Sequence, residues 1–218
     1  MRRVALVALA LGVLGTTAAC GGGTAKKAGP TADLLHPQAL TAKAPQRFDV
    51  AFTTTKGDFT ITVERAWAPN GADRFYNLAK VHFFDGVKFF RVVPRFVVQF
   101  GISPDPKVSA AWQNATIKDD PVKERNVRGA VTFASAGPDS RTTQLFINLG
   151  SNTRLDPIGF APIGSVTGGI SVVDQLYSGY GDAPTSHQAE MQTEGNAWLD
   201  KNYPKLDSIK TARIVGGG

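Results

Sequence analysis

The stretch that decides the fold is Phe89-Phe90-Arg91-Val92-Val93-Pro94-Arg95-Phe96-Val97-Val98-Gln99-Phe100-Gly101. A strand over Val87–Val93, entered through the turn Phe83-Phe84-Asp85-Gly86, breaks at Pro94 and resumes over Phe96–Phe100, because proline offers a ladder no amide. Upstream, Phe48, Val50 and Phe52 alternate with Asp49, Ala51 and Thr53. Lys56-Gly57 turns the chain, and Phe59, Ile61 and Val63 alternate again: a hairpin with one buried face. Pro69 suits the first turn of a helix whose apolar stripe is Ala72, Phe75, Leu78 and Ala79. Downstream, residues 101–127 read as a long structured loop. Gly129–Ala134 and Gln144–Leu149 are short strands around the turn Ala136-Gly137-Pro138-Asp139, and Gly159–Val166 is strand-like. Ile170, Val173 and Leu176 mark a second helix, Asn196 caps a short third over Ala197–Asn202, and Ile209–Val215 is the last strand. About eight short strands predict a mainly β domain, a closed eight-stranded antiparallel barrel capped by two helices, since closure removes exposed edges. Periodicity alone does not separate a barrel from a sandwich.

The 218 residues are 42% hydrophobic and 19% charged, which excludes extended disorder. The single cysteine, Cys20, leaves the folded body without a thiol, excluding a disulfide, a cysteine zinc site and a cysteine nucleophile. His36, His82 and His187 are too far apart in sequence to read as a ligand pair, so no metal or other cofactor is expected. At the N-terminus, Arg2 and Arg3 precede an apolar run, Val4–Leu14, too short to span a bilayer. The small residues before Cys20 resemble a bacterial lipoprotein signal, although Thr17 stands where Leu is usual. The resemblance implies a signal peptide over 1–19, lipidation of Cys20 and an extracytoplasmic, membrane-anchored lipoprotein of the bacterial cell envelope. The other reading is a secretory peptide with an incidental cysteine. Cleavage there removes two arginines and no acid, taking the formal charge from +6 to +4. The remaining basic cluster at Lys123, Arg125 and Arg128 has no accompanying RNA-binding aromatic pattern, so no nucleic-acid partner is expected. Residues 20–45, broken by Gly21–Gly23, Gly29-Pro30, Pro37 and Pro45, read as a flexible tether. The folded domain is then 46–215.

Three ordered segments, 89–101, Phe133-Ala134-Ser135-Ala136-Gly137-Pro138 through Gln144-Leu145-Phe146-Ile147, and Leu155-Asp156 through Gly159–Val166, resemble the cyclophilin family of peptidyl-prolyl cis–trans isomerases. The resemblance covers about residues 47–178. Residues 179–206 are similar to an extension found in a subset of bacterial members. His187, Glu190 and Glu194 in it are read as a solvated tail, not a metal site. The family implies a cyclophilin-like barrel that binds proline-containing polypeptides and accelerates rotation about X–Pro bonds, needing no cofactor because no covalent bond breaks. Arg91 matches the family's donor to the twisted amide, and Gln99 the residue that steadies it. Phe96, Phe146 and Leu155 match the walls of the proline pocket, with Val97 at its edge and Ile163 adding bulk where relatives have Phe. Gln144 matches a polar contact to the peptide, and Ala134, Ser135 and Ala136 line a neighbouring groove. Phe90 and Phe160 stand where relatives have His, and Arg154 where several eukaryotic relatives have a Trp that contacts cyclosporin-class inhibitors, which implies weak cyclosporin sensitivity. Residue by residue, a core role for the phenylalanines and a surface role for Arg91 are the commoner readings; the joint blocks reverse them. A monomer that helps exported chains fold is expected; the alternative is a non-catalytic peptide-binding holdase on the same fold.

Overall fold

A computed structural model describes residues 33–217. The expected signal segment, Cys20 and the first part of the expected tether lie outside these residues. Strands β1 (Arg47–Thr54) and β2 (Gly57–Glu64) form the expected hairpin, in register from Arg47↔Glu64 to Thr54↔Gly57. The alternating face turns inward: Phe48, Val50, Phe52, Phe59, Ile61 and Val63 are all buried. The cross-strand pair Phe52 and Phe59 stacks with ring centroids 4.8 Å apart.

Helix α1 (Pro69–Lys80) begins at its proline, and its predicted stripe is fully buried against the sheet. Its first free amides, on Asn70 and Gly71, both donate to the Asp120 carboxylate at 2.9 Å. That buried acid also pairs with buried Arg141, so a charge the apolar interior would reject is neutralised where the helix dipole favours it.

The other elements are β3 (Arg91–Val93), β4 (Val97–Phe100), α2 (Pro106–Trp112), β5 (Ala130–Phe133), β6 (Leu145–Asn148), β7 (Pro162–Gly168), α3 (Ile170–Asp174), α4 (Gln188–Glu194), α5 (Asn196–Asn202) and β8 (Ile209–Gly217). All strand pairs are antiparallel, in the order β3-β4-β6-β5-β7-β2-β1-β8.

The expected closed barrel is corrected here: the ladder is open between β3 and β8. One bridge, Lys88↔Ser208, spans that gap, through the amides of Phe89 (to Asp207 O, 3.0 Å) and Ile209 (to Val87 O, 2.8 Å). The reason is local. The Asp207 carboxylate is occupied by the Thr55 hydroxyl and the Tyr177 amide, each at 2.7 Å, which draws the chain out of strand geometry before β8. The expected strand from Val87 therefore becomes a ladder only at Arg91.

Three further expectations change. The loop 101–127 contains α2, started by Asp105, whose carboxylate accepts from the Lys107 amide at 2.8 Å, and by Pro106. The tether does not extend to residue 45. The Leu34 carbonyl accepts from Trp112 Nε1 at 2.8 Å, Ala42 exchanges hydrogen bonds with the Asn77 side chain, and the Ala44 amide donates to Asp73 at 2.8 Å. Residues 34–44 are thus a strap along α1 and α2. The extension 179–206 leaves the His187, Glu190 and Glu194 side chains open to solvent, as expected, while its apolar side chains dock on the body. Met191, Leu199 and Leu206 pack with Phe90 and Ile102 in a second apolar cluster, flanked by Tyr180, Trp198 and Tyr203. Asn196 does not cap α5 with its side chain; its Nδ2 donates to Gly86 O at 2.9 Å.

Candidate active site

Strand register builds the site. Arg91 is opposite Gln99, and Gln99 opposite Phe146, across β3, β4 and β6. Directly opposed residues project to the same face, and this is the face away from the main core, which takes Val92, Val98 and Ile147. Two residues along β4, Val97 joins the same face.

The turn Val93-Pro94-Arg95-Phe96 then folds the Phe96 ring back over the row. Arg95 adopts φ +64° there, and the Phe96 amide donates to Val93 O at 3.0 Å. The Arg91 guanidinium carbon lies 5.1 Å from the Phe96 ring centroid, and that of Arg154 lies 4.8 Å from it. Two guanidinium groups thus lie within cation–π range of the Phe96 ring.

Leu155 arrives on a 3-10 turn, Thr153–Ile158, that ends in Gly159 at φ +95°, a left-handed cap that turns the chain back toward Phe160. The Phe160 ring meets Phe146 edge-on at 5.7 Å.

These side chains enclose a cavity of about 280 Å³. Arg91, Phe96, Val97, Gln99, Ala134, Ser135, Phe146 and Leu155 line it, so eight of the residues expected from the sequence are brought together. Ala136 and Gln144 line an adjoining groove of about 270 Å³ that shares Gln99, Ala134 and Ser135 with the cavity. Ile163 lines neither and is corrected: it is fully buried in the main core, its Cγ2 packed against Gly71 of α1. A register shift between Val131 and Thr132, opposite Pro162–Gly164, sets which β7 side chains face inward.

A chain of polar side chains crosses the floor. Arg91 Nη1 donates to Gln99 Oε1 (3.2 Å), Gln99 Nε2 to Gln144 Oε1 (2.9 Å), and Gln144 Nε2 to Gln188 Oε1 (2.9 Å). The Arg91 Nε donates to Asp182. Beneath the walls lies a buried asparagine network. Asn152 Nδ2 donates to Phe96 O and Asn148 Oδ1, and Asn126 Nδ2 to Phe160 O and Asp156 Oδ1, all at 2.8 Å. Asn148 Nδ2 donates to Asn126 Oδ1 at 3.2 Å and closes the connection. Two walls, at Phe96 and Phe160, thus hang from one network.

Sequence reasoning missed Phe160, Thr185 and Gln188 in the cavity wall, Asp182 on Arg91, and this network. Phe160 lies within the third family-like block, four residues before Gly164, and could have been read as a third ring of the slot. Asp182, Thr185 and Gln188 carried no local signal, because their position depends on how the extension docks.

The arrangement is an apolar slot with a fixed cation at its rim and amide groups beside it, suited to an uncharged ring with a polar backbone. Residues 49–196 match the family model for cyclophilin type peptidyl-prolyl cis-trans isomerase. The peptidyl-prolyl cis-trans isomerase A of Dickeya dadantii is 34% identical over 174 residues, covering 76% of this chain and 84% of that protein. A peptidyl-prolyl cis-trans isomerase of Acinetobacter baylyi is 31% identical over 180 residues, covering 80% and 93%. Among solved structures, a cyclophilin type isomerase of Cryptosporidium parvum superposes with a TM-score of 0.57 at 19% identity, over 79% of this chain and 99% of that one. The same protein, solved in the presence of the dipeptide Ala-Pro, gives 0.56. The motif blocks, the sheet they build and the relatives converge, and the chain belongs to the cyclophilin-type peptidyl-prolyl cis-trans isomerase family.

Proposed function

We propose that this protein accelerates cis–trans rotation about X–Pro bonds, with the proline ring seated among Phe96, Phe146, Leu155 and Phe160 and with Arg91 as the donor to the rotating amide. The supporting observation is that the guanidinium sits on the same sheet face as Phe146 and over the Phe96 ring, held by Gln99.

A planar amide resists rotation by about 18–20 kcal/mol because its nitrogen lone pair is delocalised. At the twisted midpoint that lone pair is localised and can accept a hydrogen bond. A donor fixed at that point stabilises the transition state more than either planar ground state, and so raises the rate. Arg91 is permanently charged, with donors in a rigid fork. The apolar slot grips the ring while the preceding carbonyl swings, and the Gln99 and Gln144 amides offer hydrogen bonds to the peptide backbone.

The test is exchange of a short X–Pro peptide by the purified protein. Wild type should speed exchange, and Arg91→Ala should lose about 10²-fold, or about 2.7 kcal/mol. Equal rates for mutant and wild type would remove Arg91 from the mechanism. Retained binding of proline peptides without acceleration would favour the holdase reading.

The setting completes the proposal: a lipid-anchored, extracytoplasmic isomerase acting on exported chains. Its support is the segment Arg2–Ala19 followed by the chain's one cysteine. Cys20→Ser should move the protein from the membrane to the soluble fraction; unchanged fractionation would overturn the anchor.

A further inference from the structure

The extension between α3 and β8 sends one carboxylate into the site. We infer that Asp182 is a positioning residue for Arg91, holding the guanidinium where its remaining donors face the substrate. This rests on the isomerase reading above and assigns the extension a part in it.

Arg91 is held from two sides. On the sheet side, Nη1 donates to Gln99. On the other, Nε donates to the Asp182 carboxylate. Two of five donors are engaged, and the other three have no hydrogen-bond partner among the described residues. The ring of Phe96 supports the plane of the group. A long side chain with several rotatable bonds is thereby restricted to one pose before substrate arrives, which is what a transition-state donor requires.

Asp182 is itself fixed. It precedes the 3-10 turn Ala183–His187, where the Thr185 amide and hydroxyl both donate to Asp182 O, at 2.9 and 2.6 Å. The extension is tied to the body at independent points. The Met191, Leu199 and Leu206 side chains pack on Phe90, the residue next to Arg91. Gly195 sits so close to Pro104 that a Cβ would lie 2.2 Å from its carbonyl oxygen. Gln188 closes the glutamine chain from the far side.

The fold does not need this ion pair. The Asp182 side chain is 59% exposed, and exposed pairs contribute little to stability. Its removal should therefore leave a folded protein in which Arg91 is free to swing, and this separates positioning from support.

The experiment measures X–Pro exchange for wild type, Asp182→Ala, Asp182→Asn, Arg91→Ala and the Arg91→Ala/Asp182→Ala double variant, beside the NMR signal of the Arg91 Nε–H. Asp182→Ala should lower kcat about five- to tenfold with little change in KM. Asp182→Asn, which keeps an acceptor oxygen, should recover part of the loss. In the Arg91→Ala background the same substitution should have no further effect. The Nε–H signal should be slowly exchanging in wild type and fast in Asp182→Ala. Unchanged kcat in Asp182→Ala beside an active wild type, or an equal loss in the Arg91→Ala background, would overturn the assignment while leaving the isomerase reading intact. A wild type that fails to accelerate exchange would overturn both.

Discussion

At the scale of the residue, Arg91 contributes geometry as well as charge. Its fork reaches Gln99 on one side and Asp182 on the other while lying over Phe96. A lysine would carry the same charge on a single nitrogen and could not keep the planar contact and both acceptors together. Arg91→Lys should therefore lose at least about tenfold in kcat/KM, closer to Arg91→Ala than to wild type; near wild-type exchange would show that charge alone suffices. The grouping of Arg91, Gln99 and Phe146 was legible because each sits in a block that resembles the family's; read alone, an arginine in a strand is a surface charge and a phenylalanine is core. Ile163 was misread because its face depends on a register shift opposite β5, and a shift of one residue is invisible in a chain with no partner strand in view.

At the scale of the element, short apolar strands and a proline-started helix carry their own signals, and β1, β2 and α1 follow them. The extension does not. Its helices α4 and α5 are seven residues each, separated by Gly195, too short to show helical periodicity, and they gain stability by packing on Phe90 and Ile102. The strap over residues 34–44 is similar: proline-broken and aperiodic, it is held by side chains of α1 that no local reading connects to it. Asp73 is its charged fastening, accepting from the Ala44 amide and, in a bidentate pair, from Arg65 at 2.7 and 2.9 Å. Burial pushes the Asp73 carboxyl up, but Arg65, the Ala44 amide and Lys43 outweigh it and hold the group below its ordinary 3.8. Because the folded value is depressed, the stabilisation is whole above the unfolded value and is lost as pH falls from about 4 through the folded value. Asp73→Ala should cost roughly 1.5–3 kcal/mol at neutral pH, and the difference from wild type in urea unfolding should narrow below about pH 4. A gap of constant size down to about pH 2.5 would show that Asp73 acts through packing and not through its charge.

At the scale of the whole molecule, the open seam divides the site into two mechanical parts. The apolar wall, Val97, Phe146 and the carbonyl of Phe96, belongs to β4, β6 and the asparagine network, deep in the ladder. The donor, Arg91, begins β3, an end strand with a ladder partner on one side only. The 3-10 turn Ala183–His187 packs against this strand, where it limits access to an edge otherwise open to pairing. The main core is continuous beneath both parts, and Phe89 ties the seam to it through Phe59 and Phe100. Local opening should therefore start where backbone pairing is thinnest, at the single bridge of 87–89 with 207–209. In native-state hydrogen exchange, the amides of Phe89 and Ile209 should exchange at least about tenfold faster than those inside the β4, β5 and β6 ladders. A substitution that loosens the extension's apolar cluster, such as Leu199→Ala, should speed the seam amides while leaving the ladder amides unchanged, because Leu199 packs with Phe90 beside the seam and not with the strands that hold the pocket wall. Uniform protection across seam and ladder would mean that donor and pocket open as one unit, and that the extension packs at the edge without controlling how often Arg91 departs from the wall it faces.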